Sequence, residues 1–148
     1  DAIGRRTLIR MRAFDQISEP VVFPAHPRVR AAIARLGHVH AADVHVCEPA
    51  GYGDMIALQR NARVIATDSG GVQKEAYWLG VPCVTLRDET EWVETVANGW
   101  NVLTGADPAR ILSAARQAAR PADRPPLCGE DDVVDKIVSV LGEGLGRR

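Results

Sequence analysis

The chain has 148 residues, of which 46% are hydrophobic and 25% are charged. This length and composition are typical of one soluble domain that buries a hydrophobic core. The formal net charge of −1 at pH 7 gives no support for a nucleic-acid-binding surface, which would carry a clear excess of lysine and arginine.

Short apolar runs alternate with amphipathic segments along the chain, and each change of period marks a predicted element. In chain order, the predicted elements are a helix at 8–17, a strand at 20–24, a helix at 26–37, a strand at 43–48, a helix at 53–62, a strand at 63–67, a helix at 71–80, a strand at 82–86, a helix near 91–97 and a strand at 101–105. Asp107 as N-cap and Pro108 in the first turn then predict a further helix. A spacer at 119–126 precedes a final helix at about 131–141.

This alternation predicts an α/β fold. Strands that alternate with helices form βαβ units with right-handed crossovers, and their parallel strands make a doubly wound sheet with helices on both faces. The whole chain, 1–148, is predicted to be a single domain in which 120–148 form the spacer and the C-terminal helix.

The cysteine usage favours a reducing compartment. Cys47, Cys83 and Cys128 are odd in number and have no Cys-x-x-Cys spacing. Cys47 and Cys83 lie in apolar runs, where thiols act as small hydrophobic side chains. No apolar run approaches the ~20 residues that a membrane span needs, and no secretory signal pattern opens the sequence. We therefore expect a cytoplasmic protein with no membrane partner.

One cluster of histidines has the composition of a zinc site but not its spacing. His38, His40, His45 and Cys47 are close in sequence. However, His45 and Cys47 share one face of a predicted buried strand, and the other two lie in a connecting turn. Because this spacing matches no established zinc pattern, we predict no metal site.

The segment "RVIATDSGGVQKEA" predicts a ligand-binding turn between a strand and a helix. In parallel α/β sheets, ligands bind outside the carboxyl ends of the strands. Gly70 and Gly71 let a ligand approach the backbone, the free N–H groups of the helix start favour an anion, and Ser69 adds a hydroxyl. Glu75 lies one turn further along the same face, where its carboxylate could accept two hydrogen bonds from a ribose diol. The alternative is that Asp68 and Ser69 only cap the helix while Glu75 is solvated.

The next strand ends in "LRDETEWVE", a polar loop at the same edge of the predicted sheet. Arg87 could pair with phosphate, and Thr90, Glu91 and Glu94 could hold hydroxyl groups. The alternative is a helix start with Thr90 as N-cap and acidic residues in the first turn, which needs no ligand.

Two further loops end at this edge. "FPAHPRVR" places His26 after a strand and between prolines, which makes it a candidate ligand contact. In "EPAGYGD", Tyr52 or the nearby Met55 could cover a planar base, although an aromatic residue here is equally expected in the core.

Taken together, "FPAHPR", "TDSGGVQKEA", "LRDETEW" and "NGWNVLTG" resemble the non-hydrolysing UDP-N-acetylglucosamine 2-epimerase family in order and spacing, over about 21–111. The resemblance implies a Rossmann-like domain that forms one half of a glycosyltransferase-B type two-domain fold, with the active site in the cleft between the domains. This chain is similar to the carboxy-terminal half.

The resemblance also implies a chemistry. UDP is eliminated to leave an unsaturated 2-acetamidoglycal and is then added back with inverted configuration at C2, without metal or redox cofactor. Ser69, Gly70 and Gly71 match the family's diphosphate-binding turn, and Glu75 matches the glutamate that takes the ribose hydroxyls.

The sequence departs from the family pattern at two places. Many members have glutamate where this chain has Lys74, and many have Arg-Pro where it has Trp92 and Val93. The missing arginine puts one phosphate or sugar contact in doubt. Both departures are more similar to the branch that acts on UDP-2,3-diacetamido-glucuronic acid.

The family's His-Arg-x-Glu-Asn segment, expected upstream of "FPAHP", has no counterpart in "RRTLIRMRAFDQI". We therefore assign no catalytic residue, and we predict that the isolated chain binds the UDP moiety weakly and does not turn over a UDP-sugar. Two alternatives stay open. One is the donor-binding domain of a glycosyltransferase, and the other is a non-catalytic binding or assembly module that forms a homodimer or pairs with a missing amino-terminal domain.

Overall fold

The structure of the chain is a computed structural model that describes residues 2–127, 134–135 and 137–140. Helices and strands alternate within it. In chain order, they are α1 (Ala2–Phe14), β1 (Val21–Pro24), α2 (Pro27–Arg35), β2 (Val44–Cys47), α3 (Tyr52–Asn61), β3 (Ile65–Thr67), α4 (Gly70–Leu79), β4 (Cys83–Thr85), α5 (Val93–Ala97), β5 (Asn101–Leu103) and α6 (Pro108–Gln117).

The predicted elements are present, and the largest shifts are at the two ends of α1. Helix α1 begins at Ala2, six residues before the predicted start, and ends at Phe14, three residues before the predicted end. Helix α5 begins at Val93 rather than near 91. Asp107 is the N-cap of α6, and its carboxylate accepts hydrogen bonds from the backbone N–H groups of the first turn, as predicted. In the final predicted helix, 134–135 and 137–140 are helical, and the rest of that prediction lies outside the described residues.

All strand pairs are parallel, and they form two sheets rather than one continuous sheet. The first sheet has the order β1-β2 and the second has the order β3-β4-β5. Among the described residues, β1 pairs with β2 alone and β3 with β4 alone. The expectation of one continuous sheet is therefore not met between β1 and β3.

One hydrophobic core nevertheless joins the two sheets. Its buried members include Phe14 of α1, Val44 of β2, Val84 of β4 and Ile111 of α6. The ring of Phe14 meets that of Phe23 edge-on, with centroids 6.1 Å apart. Helix α1 packs against α2 and α6, so these three helices cover one side of the core.

The spacer after α6 is docked on the domain. Residues 119–126 have no helix or strand. Trp100 Nε1 donates to the carbonyl of Asp123 at 2.9 Å, and Arg124 Nη1 donates to the carbonyl of Trp78 at 2.8 Å. The Tyr77 hydroxyl donates to the carbonyl of Pro125. No helix in the described residues is both long and apolar enough to cross a membrane.

The two described cysteines have opposite environments. Cys83 on β4 is buried, and burial raises the pKa of its thiol to about 12, against a small lowering by its hydrogen bond with Thr85. Cys47 is exposed at the end of β2, so the prediction that it acts as a buried hydrophobic residue is wrong. Cys128 lies outside the described residues.

This difference predicts selective labelling by Ellman's reagent at pH 8. In a Cys128→Ser variant we expect Cys47 to react within minutes, while Cys83 reacts only after urea unfolds the chain, because about one in ten thousand of its thiols is ionised at that pH. Two fast-reacting thiols in the folded variant would contradict the described packing of β4.

Candidate functional site

The structure places every predicted site residue after the carboxyl end of a strand. His26 follows β1 and Tyr52 follows β2. Four predicted residues follow β3, namely Ser69, Gly70, Gly71 and Glu75. Arg87, Thr90 and Glu91 follow β4. Contacts join the groups that follow β3 and β4.

The turn between β3 and α4 leaves backbone open to a ligand. Ser69 is the N-cap of α4, and its Oγ accepts a long hydrogen bond of 3.5 Å from the Val72 N–H. Gly71 is exposed, and a Cβ added to it would meet only Ser69 Oγ, 3.8 Å away. The helix start carries backbone N–H groups and the positive end of the helix dipole, which together favour an anion.

The loop after β4, residues 86–92, packs against this turn. Trp92 Nε1 donates to the carbonyl of Gly70 at 2.9 Å. A Cβ on Gly70 would overlap the Glu91 carboxylate, so glycine allows the loop to approach this closely. Arg87 Nη1 lies 3.3 Å from Glu91 Oε2. Arg87 and Glu91 are therefore held beside the turn formed by Ser69, Gly70 and Gly71, which is called the SGG turn below.

A buried network of polar side chains holds the loop of residues 86–92 in place. Thr90 Oγ1 donates to Gln73 Oε1 at 2.6 Å, and Asn101 Nδ2 donates to the same oxygen at 3.1 Å. Asn101 also accepts a 2.7 Å hydrogen bond from Thr85 Oγ1 and donates to Thr95 Oγ1 at 3.3 Å.

The alternative that Thr90 is the N-cap of the next helix is wrong, because the N-cap of α5 is Trp92. Gln73 and Asn101 were not predicted from the sequence.

Glu75 is held by a partner on another helix. Gln59 of α3 is buried, and its Nε2 donates to Glu75 Oε2 at 2.7 Å. Glu75 is half-buried, so the alternative of a freely solvated carboxylate is wrong. A hydrogen bond to one carboxylate oxygen limits the rotation of the side chain, which keeps the carboxylate one turn beyond the SGG turn. The sequence signal for Gln59 was only a polar residue within a helix.

The two departures from the family pattern contact each other. The Lys74 ammonium lies 4.7 Å from the ring centroid of Trp92 and 4.8 Å from that of Trp78. Lysine over an indole face is a favourable cation–π arrangement. The two residues that differ from the family pattern, Lys74 and Trp92, therefore pack against each other and connect α4 to the loop after β4.

We expect the effects of replacing Lys74 and Trp92 with the residues that many family members have to be coupled in the free energy of unfolding. Lys74→Glu places a carboxylate over two electron-rich rings, and Trp92→Arg removes a ring and its hydrogen bond, so each single variant is expected to unfold at lower urea concentration. The double variant should recover about 1 kcal/mol, because glutamate and arginine can pair. Strict additivity of the two single effects in urea titrations would contradict the contact.

His26 and Tyr52 lie on the loops of the first sheet. His26 is the N-cap of α2, where its Nδ1 accepts a 3.3 Å hydrogen bond from the Arg28 N–H. Tyr52 is 75% exposed as the first residue of α3, so the alternative of a core aromatic is wrong, and Met55 nearby is half-buried. Both side chains are available on the surface, but they belong to the sheet that β3 does not join.

The histidine cluster is dispersed in the structure. His38 Nε2 pairs with Asp15 Oδ2 at 2.9 Å, and His40 Nδ1 lies 3.3 Å from the carbonyl of Ala41. Among the described residues, no group of three or more histidine, cysteine or acidic side chains is arranged to hold a metal ion.

The site lies within a region that matches a known family. A family model described as UDP-N-acetylglucosamine 2-epimerase matches residues 5–142. The chain belongs to this family. A UDP-N-acetylglucosamine 2-epimerase homolog from Methanococcus maripaludis is 48% identical over 106 residues, which are 69% of this chain and 30% of that protein. The UDP-2,3-diacetamido-2,3-dideoxy-D-glucuronate 2-epimerase of Pseudomonas aeruginosa is 54% identical over 97 residues, which are 66% of this chain and 27% of that protein.

Solved structures of relatives have the same fold. The Methanocaldococcus jannaschii UDP-GlcNAc 2-epimerase in complex with UDP-GlcNAc and UDP has a TM-score of 0.77 and 30% identity, covering 97% of this chain and 41% of that one. The Neisseria meningitidis enzyme bound to UDP-GlcNAc has a TM-score of 0.66 and 32% identity, covering 95% and 40%. The predicted Rossmann-like α/β fold, one half of a glycosyltransferase-B type protein, is thereby confirmed. The matched region covers less than a third of the two curated relatives above.

Proposed function

We propose that this chain is the UDP-binding part of a UDP-sugar 2-epimerase. In this proposal Ser69 and the N–H groups of Gly70 and Gly71 hold the diphosphate, while Glu75 accepts hydrogen bonds from the ribose hydroxyls. The observation that carries it is the open backbone at Gly71, with the α4 N-terminus on one side and an oriented carboxylate one turn away. The complexes of relatives with UDP and UDP-GlcNAc support a nucleotide site in this family.

Ser69 and the N–H groups of Gly70 and Gly71, called the cradle below, would contribute to the reaction by stabilising the leaving group. In the elimination a base takes the proton from C2, and the electrons of the C1–O bond leave with UDP. Negative charge therefore grows on the diphosphate, where backbone N–H groups aimed at it lower the barrier. In the return step the same groups hold UDP for addition to C1, while a proton reaches the opposite face of C2.

We propose that the acid and base come from the rest of the full-length protein, because the matched region covers less than a third of the curated relatives. Proton transfer needs groups within hydrogen-bond reach of C2. The isolated chain would then bind UDP without turnover. Epimerised product in an NMR assay of this chain alone would contradict that part of the proposal.

The substrate branch is the finer part of the proposal. Lys74 and Trp92, which differ from the residues common in the family, contact each other. A UDP-2,3-diacetamido-2,3-dideoxy-D-glucuronate 2-epimerase is 54% identical to this chain over 97 residues. We propose that the sugar is a UDP-linked 2,3-diacetamido-glucuronic acid. The test is an NMR epimerisation assay of the full-length protein with both sugars. Epimerisation of UDP-N-acetylglucosamine, with the UDP-linked 2,3-diacetamido-glucuronic acid left unchanged, would contradict the assignment.

Two neighbouring glycines give a matched test of the cradle. Gly71→Ala fills only open space, so we expect the free energy of unfolding to stay the same or to rise by up to about 1 kcal/mol, since alanine is the better helix former. UDP affinity should fall at least about tenfold, because the methyl group occupies the path of the diphosphate.

Gly70→Ala is the contrasting variant, because its methyl group displaces the Glu91 side chain and changes the packing of the loop, so we expect it to lower the free energy of unfolding where Gly71→Ala does not. Both variants are measured by calorimetric titration with UDP and by urea unfolding. If Gly71→Ala binds UDP as tightly as the unmodified chain, the diphosphate does not lie against this turn.

A further inference from the structure

Arg10 connects the first helix to the edge of the second sheet where the candidate site lies. Its Nη1 donates to Asp68 Oδ2 at 2.8 Å, and its Nη2 donates to the carbonyl of Leu86 at 3.0 Å. Asp68 directly follows β3, and Leu86 directly follows β4. One guanidinium therefore holds the starts of the two loops that carry the predicted site residues, from a helix that lies 58 and 76 residues earlier in the chain.

Packing alone does not explain an arginine at this position of α1. Thr7 and Phe14, three residues before Arg10 and four residues after it, are buried, so Arg10 lies on the face of the helix that packs on the core. Only 19% of its side chain is exposed, and its buried Nε has no hydrogen-bond partner among the described residues. A partly buried charge with an unpaired N–H is less favourable here than an apolar side chain of similar size. The contacts of Arg10 with Asp68 and Leu86 therefore indicate a role at the site.

Carboxylates flank the SGG turn, although this turn is the proposed place of a diphosphate. Asp68 comes directly before the turn, and the Glu91 carboxylate lies against Gly70. A carboxylate repels a second anion nearby unless a cation compensates its charge. Glu91 is paired with Arg87, at 3.3 Å. The cation that compensates Asp68 is Arg10, at 2.8 Å.

An uncompensated Asp68 carboxylate would interfere with a diphosphate in a second way. Negative side chains are attracted to the positive end of a helix, and Asp68 lies directly before Ser69, the N-cap of α4. A free carboxylate at this position would therefore compete with a ligand for the N–H groups of the first turn. The hydrogen bond to Arg10 holds the carboxylate on the guanidinium, and the carbonyl of Leu86 holds the guanidinium in place.

We infer that Arg10 is a positioning residue for UDP binding, which holds the Asp68 carboxylate and compensates its charge so that the diphosphate can bind at the cradle. This role rests on the proposed function, because it requires the diphosphate to lie at the start of α4. Arg10 acts through Asp68 and does not itself contact the ligand. Removal of the Asp68 charge should therefore restore what removal of the Arg10 charge abolishes.

The test is a double-mutant cycle in which UDP affinity is measured by calorimetric titration. Arg10→Gln leaves the Asp68 carboxylate uncompensated, and we expect the affinity to fall about five- to tenfold, the effect of one charge close to an anionic ligand at a protein surface. Arg10→Gln combined with Asp68→Asn should return to within about twofold of the unmodified chain. Asp68→Asn alone should bind UDP at least as tightly as the unmodified chain, because Arg10 then has no opposing charge.

Uridine, which lacks the diphosphate, separates this electrostatic role from a structural one. NMR titrations should give equal uridine affinities for the unmodified chain and for Arg10→Gln, because no ligand charge is present. If Arg10 only maintained the shape of the loops, its loss would weaken the binding of both ligands, and Asp68→Asn would not restore it.

Unchanged UDP affinity in Arg10→Gln, or no recovery in the double variant, would overturn the role of Arg10 and leave the proposed function standing. Absence of UDP binding to the unmodified chain would overturn the proposed function itself, and this role with it. If circular dichroism shows that Arg10→Gln does not fold, Asp68→Asn decides alone, since its carboxylate is 56% exposed and the variant is expected to fold. Weaker UDP binding by Asp68→Asn would overturn the inference.

Discussion

Replacing Glu75 with alanine is expected to weaken UDP binding by about 10- to 100-fold. A hydrogen bond to a charged group contributes about 1.5–3 kcal/mol, and each 1.4 kcal/mol is a tenfold change in affinity. Gln59 already orients the carboxylate at 2.7 Å, so little of that free energy is spent on ordering the side chain when the ribose arrives. Calorimetric titration of both proteins with UDP measures the effect.

The control ligand is 2′,3′-dideoxyuridine diphosphate, which keeps the base and the diphosphate but lacks both ribose hydroxyls. The unmodified chain and Glu75→Ala should bind it with equal affinity, because the carboxylate has no hydroxyl to accept from. A loss of UDP affinity that is equally large with the dideoxy ligand would assign Glu75 a structural role. Unchanged UDP affinity would place the ribose elsewhere.

Asn101→Leu is expected to lower the free energy of unfolding by about 2–4 kcal/mol. Its amide connects Thr85, Gln73 and Thr95 in a buried network at β4, α4 and α5. Leucine removes every one of these hydrogen bonds and leaves buried polar atoms without partners, which costs more than the hydrogen bonds themselves contribute. Urea unfolding with an unchanged m-value measures the loss.

Asn98 offers a matched control for this substitution. It is exposed, and among the described residues its Nδ2 donates to the carbonyl of Glu94, one turn earlier. Asn98→Ala should therefore change the free energy of unfolding by less than about 0.5 kcal/mol. Equal effects at positions 98 and 101 would contradict a buried network beneath the loop of residues 86–92.

The order of the elements and the position of the SGG turn could be predicted because they depend on local signals. Alternating apolar periods indicate which segments are strands, and Asp107 followed by Pro108 marks a helix start through its own backbone chemistry. The Gly70–Gly71 pair indicates close backbone approach in the same local way. Each of these features depends on residues that are near one another in the sequence.

The contacts that shape the site could not be predicted, because they join residues from different elements. Periodicity indicates which face of α4 is buried, but it does not show that Gln59 meets Glu75 or that Trp92 reaches the Gly70 carbonyl. The exposure of Cys47 was missed for a related reason. An apolar run predicts a strand, but whether its last residue is covered depends on the neighbouring elements.

The division of the sheet was also beyond the sequence pattern. Alternating strands and helices predict parallel strands, but they do not show which strands are neighbours when the chain crosses from one half of a doubly wound sheet to the other. The crossing occurs between β2 and β3, through α3. At this crossing, β1 and β3 do not pair.

The most direct test of the account is an amide NMR titration of the chain with UDP. Binding of the diphosphate at the start of α4 predicts that the largest shifts occur at the N–H groups of Gly70 and Gly71, with smaller shifts near Glu75. Shifts confined to other loops, or none at UDP concentrations of several millimolar, would show that this turn does not bind the nucleotide.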